Sequence, residues 1–243
     1  MKLHILAIAA HPDDIELSCG GTLIKHTQAG QDVGILDLTQ GELATRGTVA
    51  QRYLESELAA KTLGVKIRLN ARMADGFFRN DEQHQRQLIP FIRHFRPDIV
   101  LANSLNDRHP DHARAGMLIA DACFLAGLRK IETQWEGVAQ EAWRPKRVYH
   151  YLQGKVSKPT FVVDISATMA IKMESILCYK SQFHDPSSTE PETYISNENF
   201  LNQVKAKDAL FGNLIGTQFG EGYISENITG IDSLDDLLLP EIP

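Results

Sequence analysis

The sequence predicts an α/β fold, a Rossmann-like and mostly parallel sheet with helices on both faces. Three observations lead there. Short runs rich in Ile, Val and Leu alternate along the chain with stretches of helical spacing. Several runs, LHILAIAA first among them, are apolar at consecutive positions, the pattern of strands buried on both faces. The repeated strand, helix, strand unit implies right-handed crossovers, which set helices on either side of one sheet.

Taken in order, LHILAIAA (3–10) is the first strand, and a helical stretch centred on GGTLIKHTQAG stops at Gly30. QDVGILDLT (31–39) is the second strand. TVAQRYLESELAAKTLG (48–64) carries apolar residues at helical spacing and ends in a glycine, VKIRLN (65–70) is a short strand, and DEQHQRQLIPFIRHF (81–95) is a helix despite Pro90. FRPDIVLAN (95–103) is the next strand and HPDHARAGMLIADACFLAG (109–127) the helix after it. PKRVYHYLQ and TFVVDIS supply two later strands before TMAIKMESILCYKSQF (168–183), and the tail SLDDLLLPEIP reads as a docked terminus or a subunit contact. No repeat or linker interrupts this pattern, so residues 1–243 are expected to form a single domain.

Composition narrows the function. A chain that is 43% hydrophobic and 23% charged has the makeup of a globular protein with a sizeable core. Its formal charge of −6 argues against nucleic acid or an anionic membrane as the partner, since both call for a basic face. No apolar run approaches the roughly 18 residues that span a bilayer, and the polar turn after MKLHILAIAA is unlike a signal peptide, so a cytoplasmic protein is expected. Cys19, Cys123 and Cys178 are too few and too scattered for a disulfide framework or a thiolate cluster. Without secretion, Asn227-Ile228-Thr229 is a chance match to a glycosylation pattern.

Two stretches carry chemistry. AIAAHPDDIELSCGG (7–21) offers His11, Asp13 and Asp14 directly after the first strand, and NSLNDRHPDHARAG (103–116) offers His109, Asp111 and His112 after the fourth. In a parallel sheet such strand ends share one edge, where ligands bind. His11 and Asp14, three residues apart around a turn, can face one point, and His112 adds a second imidazole. Two imidazoles and a carboxylate suit catalytic zinc with an open position for water, and equally the facial triad of an Fe(II) oxygenase. Asp13 and His109 are then a spare acid and a spare imidazole, which favour hydrolysis.

On these residues the chain resembles the LmbE/PIG-L superfamily of metal-dependent N-acetylglucosaminyl deacetylases, through AHPDD, HPDH and the order of units as far as YKSQF. TQGELATRGT and NDRHPDH are similar to the bacillithiol-biosynthesis branch, which deacetylates N-acetylglucosaminyl malate. The resemblance implies a fold that binds metal without a dinucleotide, in keeping with Gly20-Gly21, which do not form a G-x-G-x-x-G turn. It implies His11, Asp14 and His112 as ligands of Zn2+, with Fe2+ or another divalent ion as options. It makes Asp13 the general base, His109 the cationic imidazole facing the oxyanion, and Asp111 the carboxylate orienting His109. It also implies a homo-oligomer acting on a small N-acetylglucosaminide. The chain departs from mycothiol-type relatives at Asp107, where they carry a tyrosine, so Tyr194 and Tyr223 become candidate proton donors.

For the substrate, Arg46 and Arg108 are candidates to grip malate carboxylates, since a guanidinium fork matches a carboxylate with two parallel hydrogen bonds. By resemblance Asp75 contacts a sugar hydroxyl, Glu42 does similar work and Gln182 lines the site. His4, His26, His84, His94 and His150 are expected to be structural, and His184 has no assigned role. Alternatives are another N-acetylglucosamine conjugate as substrate, an Fe(II) oxygenase, and a non-catalytic sugar-binding module. The last needs neither Asp13 nor a paired His109 and Asp111.

Overall fold

The computed structural model describes residues 1–238; residues 239–243, the end of the apolar tail, lie outside the described residues. The strands are β1 (Ile5–Ala9), β2 (Val33–Asp37), β3 (Ile67–Asn70), β4 (Ile99–Asn103), β5 (Gln134–Trp135), β6 (Val138–Ala139), β7 (Arg147–Tyr151), β8 (Phe161–Asp164) and β9 (Gly220–Ile224). The helices are α1 (Asp14–Gln28), α2 (Val49–Leu63), α3 (Glu82–Phe95), α4 (Pro110–Ala126), α5 (Met169–Ile176) and α6 (Phe200–Leu214). Seven strands form one sheet in the order β3-β2-β1-β4-β7-β9-β8, and β5 with β6 makes a separate small hairpin.

The sheet is parallel from β3 to β7, as the alternation of elements predicts, and antiparallel at β9, which pairs with both β7 and β8. In β1, Leu6 and Ile8 belong to the core under α3 and α4, while Ile5, Ala7 and Ala9 belong to the core with α1. Both faces are therefore covered, which accounts for the unbroken apolar run. A third apolar cluster joins Leu17, Ala59, Ile176, Tyr179, Phe183 and Val204 beside these two.

Helix ends follow their caps. Thr48 Oγ1 accepts from Gln51 N at 3.2 Å to start α2, and Gly64 at φ 71 ends it. Several elements differ from the sequence reading. α1 begins at Asp14, well before the glycine pair on which the helical stretch was centred. α5 stops at Ile176, because Tyr179 and Phe183 turn into the third cluster and Ser181 bonds Glu55 through both its N–H and its hydroxyl. α6 and β9 are absent from the pattern reading altogether. The tail is not docked on this chain as far as it is described: a short 3₁₀ turn spans Leu234–Leu237, and Leu234, Leu237 and Leu238 are exposed.

Candidate active site

β1 and β4 are neighbours in the sheet, and from this pair the chain order runs outward to β2 and β3 on one side and to β7 on the other. Their carboxyl ends flank the switch-point crevice of an open α/β sheet, which brings the two His-Pro-Asp motifs together. Asn103, the last residue of β4, couples them: its Oδ1 accepts from Ala10 N at 2.9 Å and its Nδ2 donates to Asp14 Oδ2 at 3.3 Å.

Asp13 has φ 112, a left-handed conformation that is costly for a residue with a side chain and tends to mark functional positions. It precedes α1, yet its side chain does not cap the helix. Instead Oδ2 accepts from Arg52 Nη1 at 2.9 Å, and Arg52 also donates to Pro12 O and Gln182 Oε1. Asp14 turns one oxygen to each histidine: Oδ1 lies 3.1 Å from His112 Nε2 and Oδ2 3.6 Å from His11 Nδ1. Gln153 Nε2 donates to the same Oδ1 at 2.7 Å. His11 Nε2 lies 3.0 Å from Asp75 Oδ1 and 3.4 Å from Asp111 Oδ2, and His112 Nδ1 lies 3.1 Å from Asp107 Oδ1.

The electrostatics follow from this crowding. Burial pushes the Asp13 carboxyl up to about 7 against the opposing pull of Arg52. Burial also works against charge on Asp14 and His112, but their contact prevails: Asp14 is held well below the carboxylate range, and His112 rises to about 9. Asp107 drops to about 2, its burial outweighed by His112 and by two backbone N–H groups. His11 is raised well above an ordinary imidazole because Asp111, Asp14 and Asp75 outweigh its burial. His109 goes the other way, lowered by burial and then by its two imidazole neighbours.

These donors fit a divalent cation. The ligand atoms of His11, His109 and His112 lie within 4.8 Å of one another, as do those of His11, Asp75 and Asp111, and Asp14 touches both His11 and His112. Imidazole nitrogens mixed with carboxylate oxygens suit zinc or iron, and Asp107 on the outer nitrogen of His112 supplies the support that metal-binding histidines commonly have.

Other predicted residues are placed differently. Asp111 does not orient His109 with its carboxylate, which accepts from Gly76 N at 2.9 Å and Arg114 Nη1 at 2.8 Å and faces His11. Its backbone N–H donates to His109 Nδ1 at 3.3 Å, since His109 is the N-cap of α4. With Nδ1 accepting, the proton of the neutral ring belongs on Nε2, so a cationic pair of His109 and Asp111 is not what this geometry holds. Glu42 props the loop, its Oε1 accepting from Asp75 N at 2.8 Å. Asp75 is shared between His11 and Leu43 N. Gln182 commits its amide to Arg46 O, Ser181 and Arg52. Tyr223 is buried, with its hydroxyl on Thr22, and is no proton donor to this site.

A cavity of about 610 Å³ opens over the cluster, with Arg46, Arg108 and Tyr194 in its wall. The Arg108 guanidinium stacks 3.9 Å from the centre of the Tyr194 ring. Sequence reasoning passed over Arg52, Gln153 and Lys207 and noted Asp107 only as the place of a missing tyrosine; all four line this cavity. Arg52 had a signal. The buried stripe of α2 runs back from Leu63 through Ala60, Ala59, Ser56 and Glu55 to Arg52, so a guanidinium occupies a core-facing position of an amphipathic helix. Asp107 and Gln153 sit in loops, where spacing carries no such signal.

Residues 6–123 match the family described as GlcNAc-PI de-N-acetylase, PIG-L. The chain is 29% identical to the diacetylchitobiose deacetylase of Thermococcus kodakarensis over 228 residues, 90% of this chain and 81% of that protein. Among solved structures, a conserved protein from Thermus thermophilus superposes with a TM-score of 0.84 at 33% identity, covering 95% of this chain and 98% of that one. The N,N'-diacetylchitobiose deacetylase from Pyrococcus horikoshii gives 0.79 at 25% identity, covering 96% and 88%. Among the described residues no helix is long and apolar enough to cross a membrane.

Proposed function

The chain belongs to the PIG-L/LmbE family and is a deacetylase, a hydrolase of amide bonds, and from that premise we propose that its substrate is an N-acetylglucosaminide with an acid-bearing aglycone, N-acetylglucosaminyl malate. Membership retires the oxygenase and the binding module. One observation carries the finer reading. Arg46 stands in the cavity wall, 5% exposed; its Nε faces Glu190 and its Nη2 donates to Ser188, while its Nη1 makes no hydrogen bond among the described residues. A buried guanidinium with donors to spare is a socket for a carboxylate.

In this reading His11, Asp14 and His112 would hold one divalent cation, taken as zinc, a metal this mixture of nitrogen and oxygen donors suits as it does iron. When bound, such an ion polarises a carbonyl and brings the pKa of its water to about 7. Asp13 takes the proton of the attacking water and later returns it to the leaving amine. Its Oδ2 is pinned by Arg52, while its Oδ1 makes no hydrogen bond among the described residues. His109 donates from Nε2 to the developing oxyanion, a role in which loss of one donor typically costs about 100-fold in turnover. The atoms balance: water and the acetamide become acetate and a free amine.

The test compares acetate release from N-acetylglucosaminyl malate and from N-acetylglucosamine at fixed salt and metal. Wild type should prefer the conjugate. Arg46→Ala should lose roughly ten- to hundredfold in kcat/KM on the conjugate, the worth of a charge-assisted hydrogen bond, and little on the plain sugar. Equal losses on both substrates would reject the carboxylate contact. A neutral amino-sugar disaccharide is the second reading, favoured by the match to diacetylchitobiose deacetylase along 90% of this chain. It predicts faster hydrolysis of diacetylchitobiose than of the malate conjugate.

A further inference from the structure

We propose that Ser188 and Glu190 are positioning residues that aim the Arg46 guanidinium into the cavity, which makes residues 185–190 a specificity element for an anionic aglycone; the inference rests on the acid-bearing substrate proposed above. Arg46 is held on three sides. Its carbonyl oxygen accepts from Gln182 Nε2 at 2.9 Å, its Nη2 donates to Ser188 Oγ at 2.8 Å, and its Nε lies 3.6 Å from Glu190 Oε2. Nη1 has no partner among the described residues. Arg46 lines the cavity while Ser188 and Glu190 do not, so the two strap residues hold the fork from its outer edge and leave donors toward the cavity.

The strap is built to do this. Asp185 Oδ1 accepts from both the N–H and the hydroxyl of Ser187, Asp185 O accepts from Ser188 N, and Ser188 Oγ accepts from Glu190 N. Pro186 lies within the segment and Pro191 directly follows it, and each limits its own backbone. Among the described residues, every hydrogen bond and ion pair leaving 185–190 goes to Arg46 or Gly47: the two contacts above, and Gly47 N donating to Glu190 Oε1 at 3.0 Å. Gly47 makes the approach possible. Its φ is 73, and a Cβ there would sit 2.8 Å from the Ser181 side chain, so no other residue lets this loop close on Ser181 and Gln182.

A residue that only closed the surface would have no reason to converge on one guanidinium. An arginine free to swing would lose rotamer entropy on binding, and a strap that fixes it beforehand removes that cost from the binding step. Glu190 is half-exposed and 3.6 Å from Nε, so it orients without filling the fork. A substrate carboxylate at hydrogen-bond distance takes the remaining donors.

The experiment measures kcat and KM for N-acetylglucosaminyl malate and for N-acetylglucosamine with the metal-loaded full chain. Ser188→Ala and Glu190→Ala should each raise KM for the conjugate about two- to tenfold, the range of one net hydrogen-bond contribution. Turnover of the conjugate and both constants for the plain sugar should stay at wild-type values. Ser188→Thr, which keeps the hydroxyl, should restore KM. If both alanine variants keep the wild-type KM while Arg46→Ala is selectively impaired, the positioning role is wrong and the acid-bearing substrate stands. If the variants lose equally on both substrates, the strap is scaffold and the proposal falls. If Arg46→Ala shows no selectivity, the substrate reading itself fails.

Discussion

Two clusters of buried charge lie along α1, and they differ in how they are closed. At its middle, Lys172 Nζ donates to Asp208 Oδ2 at 2.6 Å and to Glu221 Oε1 at 2.7 Å. Glu221 also accepts from Gly21 N and Thr22 N, and Lys207 adds a second ammonium 3.4 Å from Asp208. Two cations meet two carboxylates. At the start of α1, Asp13, Asp14, Asp75, Asp107 and Asp111 crowd three imidazoles, with Arg52 and Arg114 as the guanidinium partners, and the whole opens onto a cavity. Burial of charge is common to both and so identifies neither. Balance, and the burial of Lys172, Asp208 and Glu221 with Lys207 alone of the four in the cavity wall, make the first a structural knot, whereas excess acid and neighbouring imidazoles opening onto the cavity make the second a site.

The contrast breaks most sharply at Asp13. Asp13→Asn should lower turnover by roughly two to four orders of magnitude, because one group serves as base and acid, while the metal content and melting temperature stay at wild type. A loss below tenfold would move proton handling to His109. Lys172→Met should do the reverse. It leaves Asp208 and Glu221 buried without their cation, for about 3–5 kcal/mol in a denaturant titration, and leaves turnover of the folded fraction unchanged. A turnover defect at full folding would join the knot to the site.

Smaller effects sharpen the line between them. Asp107→Asn should weaken metal affinity about ten- to hundredfold in a chelator competition, because Asp107 Oδ1 stands 3.1 Å from His112 Nδ1, while stability barely moves. Unchanged affinity would make Asp107 only a loop anchor for the backbone N–H groups of His109 and Gly154. The smallest effect concerns His150, which belongs to neither cluster. It is 1% exposed, its Nδ1 donates to Asn103 O at 2.7 Å and its Nε2 has no hydrogen-bond partner among the described residues. Burial lowers its pKa, opposed by the Asn103 carbonyl and Glu226, so the folded chain binds its proton less readily than the unfolded one. Its contribution to stability is complete above about pH 6.5 and declines as the pH falls toward the lowered folded value. Melting temperatures between about pH 7 and pH 5 should therefore fall less steeply in His150→Phe than in wild type, and equal slopes would assign the acid sensitivity elsewhere.

The parallel half of the fold is legible because β1, β2 and β4 are apolar runs and β3 is a short alternating one, each followed by a helix with its own stop, such as Gly64 after α2. β9 is not, and the reason is physical. GEGYI has two glycines, which lower strand propensity. In the folded chain a Cβ on Gly220 would lie 2.9 Å from Gly212 N and one on Gly222 3.0 Å from the Phe211 ring, so the residues that hide the strand are the ones that let α6 pack on it.

By itself the sequence determined the alternation of elements, the two His-Pro-Asp motifs at strand ends, and hence the inventory of acids and imidazoles. Those follow from local period and from residue chemistry, which need no distant partner. Only the tertiary structure decided who holds whom. Arg52 reaches Asp13 across 39 positions, Arg114 and Gly76 take the Asp111 carboxylate away from His109, Glu42 turns to Asp75, and Ser188 lies 142 positions from the arginine it holds. Such pairings depend on the order of strands in the sheet and on which buried group lacks a partner when the elements close, and neither quantity is written in any one stretch of chain.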